Sequence, residues 1–241
     1  MNIGTCSWKY DSWKGLVYSD QVRDGYLAEY AGKFKIVEVD QWFWSLFGSR
    51  VVMPKPDVVA EYASQVPDDF KFSIKVPNAV TLTHHYAKPG AGGLKKNHHF
   101  LDEALFNEFL ERLHPIERQI DSLIFQFEYL NQNKMAGVLQ FLSCLKDFFS
   151  RCPADFRYCI ETRNKNYLSP IYFKTLLEMG VYHVFLQGYW MPPVCKLYYQ
   201  HQEMIRDFTV IRLLGPDRKK IEQLTRKRWN KAVIPRDNEL K

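Results

Sequence analysis

Three carboxylates and three cations stand where they could act on a common ligand. Glu38 and Asp40 close the segment KIVEVD (35–40), Lys75 falls near the end of FKFSIKV (70–76), and Gln126 near the end of SLIFQF (122–127). Glu161 ends RYCIET (157–162), with Arg163 just beyond, and Arg212 lies late in TVIRLL (209–214). The rest of each segment is mostly apolar, β-branched or aromatic, as in strands buried on both faces. Residues two apart share a strand face, so Glu38 goes with Asp40 and Glu161 with Arg163. Three acids against three bases leave such a cluster close to neutral, which matters because unpaired buried charges cost several kcal/mol each. A carboxylate among cations is a base, and one desolvated among aromatics is an acid. Glu161 or Glu38 is therefore the expected general acid or base, with Lys75, Arg163 and Arg212 binding an anionic or oxyanionic substrate. Salt bridges plugging a barrel mouth are the competing explanation. Repetition at equivalent strand ends favours a ligand, since Val, Ile and Leu would plug the mouth at lower cost.

Strand-like and helix-like segments must alternate to bring these ends together, and they do, in the pattern of repeated βα units. Strands are expected at 2–7, 35–40, 70–76, 122–127, 157–162, 182–187 and 209–214. Helices are expected at 21–32, 55–65, 103–118, 133–149, 170–179 and 196–206, with a last one from about Pro216. Ser169 followed by Pro170 suits a helix start, and Gly180 a stop. The fold expected is one α/β domain over 1–241, a TIM-like (β/α) barrel of parallel strands. It is incomplete at the C-terminus, because no eighth strand follows and two strand edges would be left unpaired. A flexible loop is expected at 77–101, where YAKPGAGGLKKNHHF (86–100) reads as a mobile lid rather than a phosphate-binding loop.

Composition narrows the classes. In 241 residues, 46% hydrophobic and 15% aromatic, one large core can be buried. A formal charge of +6 is too mild to point to a partner. Five scattered cysteines without a CxxC pair read as reduced thiols of a cytoplasmic protein. No secretion signal and no apolar run of spanning length is seen.

The phrases GTCSWKYDSWKG, IVEVDQWFW, VPDDFKFSIKVPNAVTLTHH, FQF and IETRNKNYLS resemble the motif series of the YecE-like family, domain of unknown function seventy-two, over about 2–215. The resemblance implies a TIM-like barrel without an assigned biochemical activity. It carries over to Gly4, Trp8, Glu38, Lys75, Thr83, His84, Gln126, Glu161, Arg163 and Arg212. The family pattern after the fifth strand reads Glu-x-Arg-His, then Ser-Trp. Here Asn164, Asn166 and Tyr167 stand in that region, which argues against histidine-based proton transfer there. A last strand with paired asparagines, usual in the family, is also not found.

These readings combine into an enzyme acting on a polar, anionic small-molecule or nucleotide-type substrate. Glu38, Glu161 and Lys75 are its catalytic candidates. Trp8, Asp40, His84, Gln126, Arg163 and Arg212 are its substrate-binding ones. Trp8, Trp13, Trp42, Phe43 and Trp44 could stack a sugar or base, and Trp8, directly after the first strand, is preferred. No cofactor or metal is expected. A divalent-metal hydrolase using Glu38, Asp40, Glu161, His84 and His85 is an alternative, weakened by the three competing cations and by missing His-x-His or Asp-x-His pairs. Another is a non-catalytic nucleic-acid or nucleotide binder using Lys95, Lys96, His98, His99 and the basic runs 218–220 and 226–228 beside Trp229.

Overall fold

Val37, Val39, Phe72, Ile74, Phe125 and Ile160 have no solvent exposure. They alternate with ionic and small residues along short parallel strands, and that alternation decides which side of the sheet becomes core and which becomes site. In the computed structural model, which describes residues 1–86, 93–188, 190–215 and 218–234, the strands are β1 (Ile36–Val39), β2 (Leu46–Phe47), β3 (Arg50–Val51), β4 (Lys71–Lys75), β5 (Ile120–Gln126), β6 (Tyr158–Glu161), β7 (Tyr182–Gln187) and β8 (Val210–Leu213). β2 and β3 form a small hairpin turned at Gly48, whose φ of 63° suits glycine. The other six make one parallel sheet in the order β1-β4-β5-β6-β7-β8.

Parallel neighbours need crossovers, and helices supply them. They are α1 (Tyr26–Ala31), α2 (Pro56–Gln65), α3 (Asn78–Thr81), α4 (Glu103–Arg112), α5 (Val138–Phe149), α6 (Pro170–Met179), α7 (Val194–His201) and α8 (Arg218–Thr225). α5 shows the principle: Phe141, Leu142, Leu145 and Phe148 are buried on one face while Leu139 is 69% exposed. Phe148 meets Phe125 of β5 and Phe106 of α4 at 5.7 and 5.5 Å between ring centres.

Helix limits differ from those expected for local reasons. α1 starts at Tyr26 because Gly25, at φ 73°, is left-handed. The helix expected to reach 118 ends at Arg112, and Pro115 opens a 3-10 turn, His114–Gln119. α7 ends at His201 and passes into a 3-10 turn, Gln202–Met204.

The expected strand at 2–7 is corrected. The segment lies beside β1, with Glu38 donating its N–H to Thr5 O at 2.9 Å, and Gly4 is so close that a β-carbon there would fall 2.1 Å from Ile36 O. No regular ladder forms, because the Thr5 N–H is donated to the Tyr30 hydroxyl instead. Seven expected strands thus become a six-stranded sheet curled into a half-barrel, with the N-terminal segment against one edge.

Within 77–101, residues 77–84 are buried, whereas Tyr86, 93–96 and His98 are exposed. α3 is buried throughout, and the Asn97 amide donates to Ala79 O and Leu82 O. The lid core, 87–92, lies outside the described residues.

Candidate functional site at the strand ends

Strand register carries the ionic residues to one side of the sheet. Val39 pairs with Ile74, setting Asp40 level with Lys75, and Gln126 pairs with Glu161. Residues of this parity line the concave side. Ile124, Cys159, Val184 and Leu186 form a small apolar cluster there, separate from the larger core between sheet and helices. Below the site, Ser73 and Ser122 share a hydrogen bond of 2.7 Å.

Arg212 is the centre. Its Nε and Nη2 donate to the two oxygens of Glu38 at 2.7 and 2.8 Å, and its Nη1 donates to Glu161 at 2.6 Å. Arg163 takes the other Glu161 oxygen at 2.6 Å. Glu38 lies on β1 and Arg212 on β8, the two edges of the sheet, so this bidentate pair spans the mouth of the half-barrel. Burial alone would depress Arg212, but Glu161 and then Glu38 outweigh it and hold the guanidinium above its usual range. Nε, Nη1 and Nη2 of Arg212 are thus all engaged by the carboxylates of Glu38 and Glu161.

Lys75 differs. Its ammonium is 3.4 Å from Glu38 Oε1 and 5.4 Å from the centre of the Phe43 ring, its side chain is 9% exposed, and it donates no hydrogen bond among the described residues. Beside it, Asp40 is half-buried, and its carboxylate accepts no hydrogen bond from another described residue. Desolvation raises the Asp40 pKa, with Glu38 adding to the rise and Lys75 opposing it. The Cys6 sulfur, 3.7 Å from Arg212 Nη2, is likewise pushed up by desolvation and then by Glu38, although the residue as a whole is exposed.

The structure therefore brings Glu38, Lys75, Glu161, Arg163 and Arg212 into one network, with Asp40 at its edge. Gln126 adjoins Glu161 across β5 and β6. His84 takes no part: it is buried, bonded to Thr83 Oγ1 at 3.0 Å, and its pKa is lowered by burial and then by Lys134 and Lys96. Trp8 is 6% exposed and packs edge-on against Tyr62 at 5.1 Å, which leaves little of it for a ligand. Trp229 lies near Tyr10, and its backbone is held by Ser12 and Trp13. Among the described residues no three of His, Cys, Asp and Glu converge as a metal site.

Two asparagines that were not among the expected site residues organise the rim. Asn78 Oδ1 accepts from Ser45 N, Ser45 Oγ and Leu46 N, tying the loop after β1 to α3. Asn164 accepts from Leu130 N and donates to Leu130 O, both at 2.8 Å, tying the loops after β5 and β6. Their signal was position, an Asn just past each strand in VPN and TRN, where a short amide reaches backbone.

A parallel α/β half-barrel with an ionic cluster at the carboxyl ends of its strands is the class that fold and site define. The chain belongs to the family described as protein of unknown function DUF72, whose model matches residues 2–236. It is 27% identical over 180 residues to the UPF0759 protein YecE of Escherichia coli K12, an alignment covering 75% of this chain and 54% of that protein. It thus spans about half the length of the curated relatives it matches. Among solved structures it resembles a DUF72 family protein from Thermotoga maritima MSB8, with TM-score 0.63, 18% identity and 99% and 83% of the two chains covered. It also resembles one from Enterococcus faecalis V583, with TM-score 0.59, 20% identity and 90% and 71% covered. Among the described residues no helix is long and apolar enough to cross a membrane.

Proposed function

We propose that this chain is a cytoplasmic enzyme built on an incomplete TIM-like barrel, transferring a proton to or from a polar, anionic small-molecule or nucleotide-type substrate. The observation that carries this reading is the Lys75–Asp40 pair: a nearly buried ammonium, 3.4 Å from Glu38, that donates no hydrogen bond among the described residues, beside a half-buried carboxylate that accepts only from its own backbone. Buried polar groups are normally hydrogen-bonded, and a cation at a barrel mouth that has one long ion pair and no hydrogen bond can bind an anionic substrate group. Lys75 holds the substrate's anionic group. Asp40, its proton affinity raised by desolvation, gives or takes the proton. Glu38 and Glu161, first choices from sequence, have their oxygens engaged by Arg212, Arg163 and Lys75 and serve as the fixed frame.

The test is turnover of a small-molecule extract followed by mass spectrometry, wild type against Asp40→Asn and Lys75→Met. Compounds should be consumed by the wild type, about 100-fold or more slowly by Asp40→Asn, and left unbound by Lys75→Met. A wild type that changes no compound, or an Asp40→Asn variant of equal rate, overturns it.

A further inference from the structure

Trp44 is 61% exposed and Tyr86 is 54% exposed, yet they touch, with ring centres 5.9 Å apart and planes inclined at 44°. Large aromatic rings left in water are not a packing necessity, because neighbouring side chains could cover them. Nor is the backbone loose. Trp44 sits between Phe43, 5% exposed, and Ser45, fully buried, and both neighbours are held by Asn78: its N–H donates to Phe43 O at 2.7 Å and its Oδ1 accepts from Ser45. The exposed indole is presented by one of the best-fixed stretches of the rim. It is also joined to the ionic site. The Phe43 ring lies 5.2 Å from Trp44 on one side and 5.4 Å from the Lys75 ammonium on the other. A continuous path therefore runs from a hydrogen-bond-free cation to an open aromatic corner. The Tyr86 phenol, pushed up by desolvation and then by Glu128, remains a hydroxyl donor at the edge of that corner.

We infer that Trp44 and Tyr86 form a ring-binding subsite, so that the ligand is a phosphate or similar compact anion joined to a sugar or nucleobase ring. The anion goes to Lys75 and the ring to the aromatic corner. This rests on the anion-binding reading of Lys75 and narrows its substrate class.

The test is calorimetric titration at constant ionic strength with inorganic phosphate, ribose 5-phosphate and adenosine 5′-monophosphate. Proteins are the wild type, Trp44→Ala, Tyr86→Ala and Lys75→Met, each checked for folding by circular dichroism. One or both ring-bearing phosphates should bind at least about tenfold tighter than inorganic phosphate, the scale of a stacked ring. Trp44→Ala and Tyr86→Ala should remove that advantage without changing the phosphate affinity, and Lys75→Met should weaken all three probes. Tight ribose 5-phosphate assigns the ring to the sugar, and a gain for the nucleotide alone assigns it to the base. Equal affinity for all three in the wild type overturns the subsite and leaves the Lys75 reading standing, as does an advantage that survives both aromatic truncations. Binding of none of the three removes the anion site and the subsite with it.

Discussion

At the scale of single residues, the two buried cations of the site have opposite duties, and stability should tell them apart. Arg212 joins Glu38 to Glu161, both at least nine-tenths buried. Removing it leaves Glu161 with Arg163 alone and Glu38 with only the 3.4 Å contact to Lys75, and breaking a buried pair costs about 3–5 kcal/mol. Arg212→Met should therefore lower the urea unfolding free energy by about that much. Lys75→Met leaves Glu38 with its bidentate arginine and removes a cation that donates no hydrogen bond to the protein. It should cost less than about 1 kcal/mol, since a methionine at this nearly buried position can take up the place of the ammonium over the Phe43 ring. Equal losses in the two variants would mean that Lys75 is part of the frame and not an open position.

At the scale of elements, the rim loops depend on two amides. Asn164→Ala would leave the buried N–H and C=O of Leu130 without partners, at roughly 1–3 kcal/mol each. The expected result is faster hydrogen exchange at the Leu130 amide and a lower melting temperature, with the sheet amides unchanged. Gly4→Ala should loosen the N-terminal segment, because the added carbon would overlap Ile36 O; limited proteolysis near Thr5 would report it. These elements also show what the sequence made legible. Strand ends carrying Glu38, Lys75, Glu161 and Arg212 could be found by parity, since alternation and apolar runs are local signals. The convergence on Arg212 follows from parallel strands and is likewise predictable. The failure of 2–7 as a strand was not, because it turns on the Tyr30 hydroxyl, distant in the chain, capturing one N–H. The lighter engagement of Asp40 and Lys75, compared with Glu38 and Glu161, was equally hidden: composition names an ion, but only geometry shows which carboxylate already has its arginine.

At the scale of the whole molecule, acid should be its weak point, for a reason remote from the site. His183, on the helix-covered side of β7, is bonded through Nδ1 to the Tyr172 hydroxyl, and burial and then His201 depress its pKa to about 3. His201, at the end of α7, stacks on Phe173 at 4.3 Å with both ring nitrogens buried and unpartnered, and burial lowers its pKa too. A histidine depressed on folding contributes stability fully above its unfolded value near 6.5 and loses it as pH falls toward the folded value. Asp40, raised on folding, runs the other way: its contribution is complete below its unfolded value near 3.9 and is lost as pH rises, so it offsets part of the effect only in acid. Unfolding free energies from urea titrations should therefore fall between pH 6.5 and 4, at up to about 1.4 kcal/mol per unit for each histidine. His201→Leu keeps the apolar contact with Phe173, removes two unpaired nitrogens, and should flatten that slope while raising stability at pH 5. A variant with the wild-type slope would take His201 out of the acid sensitivity and leave it to His183 or to the ionic frame that Arg212 holds together.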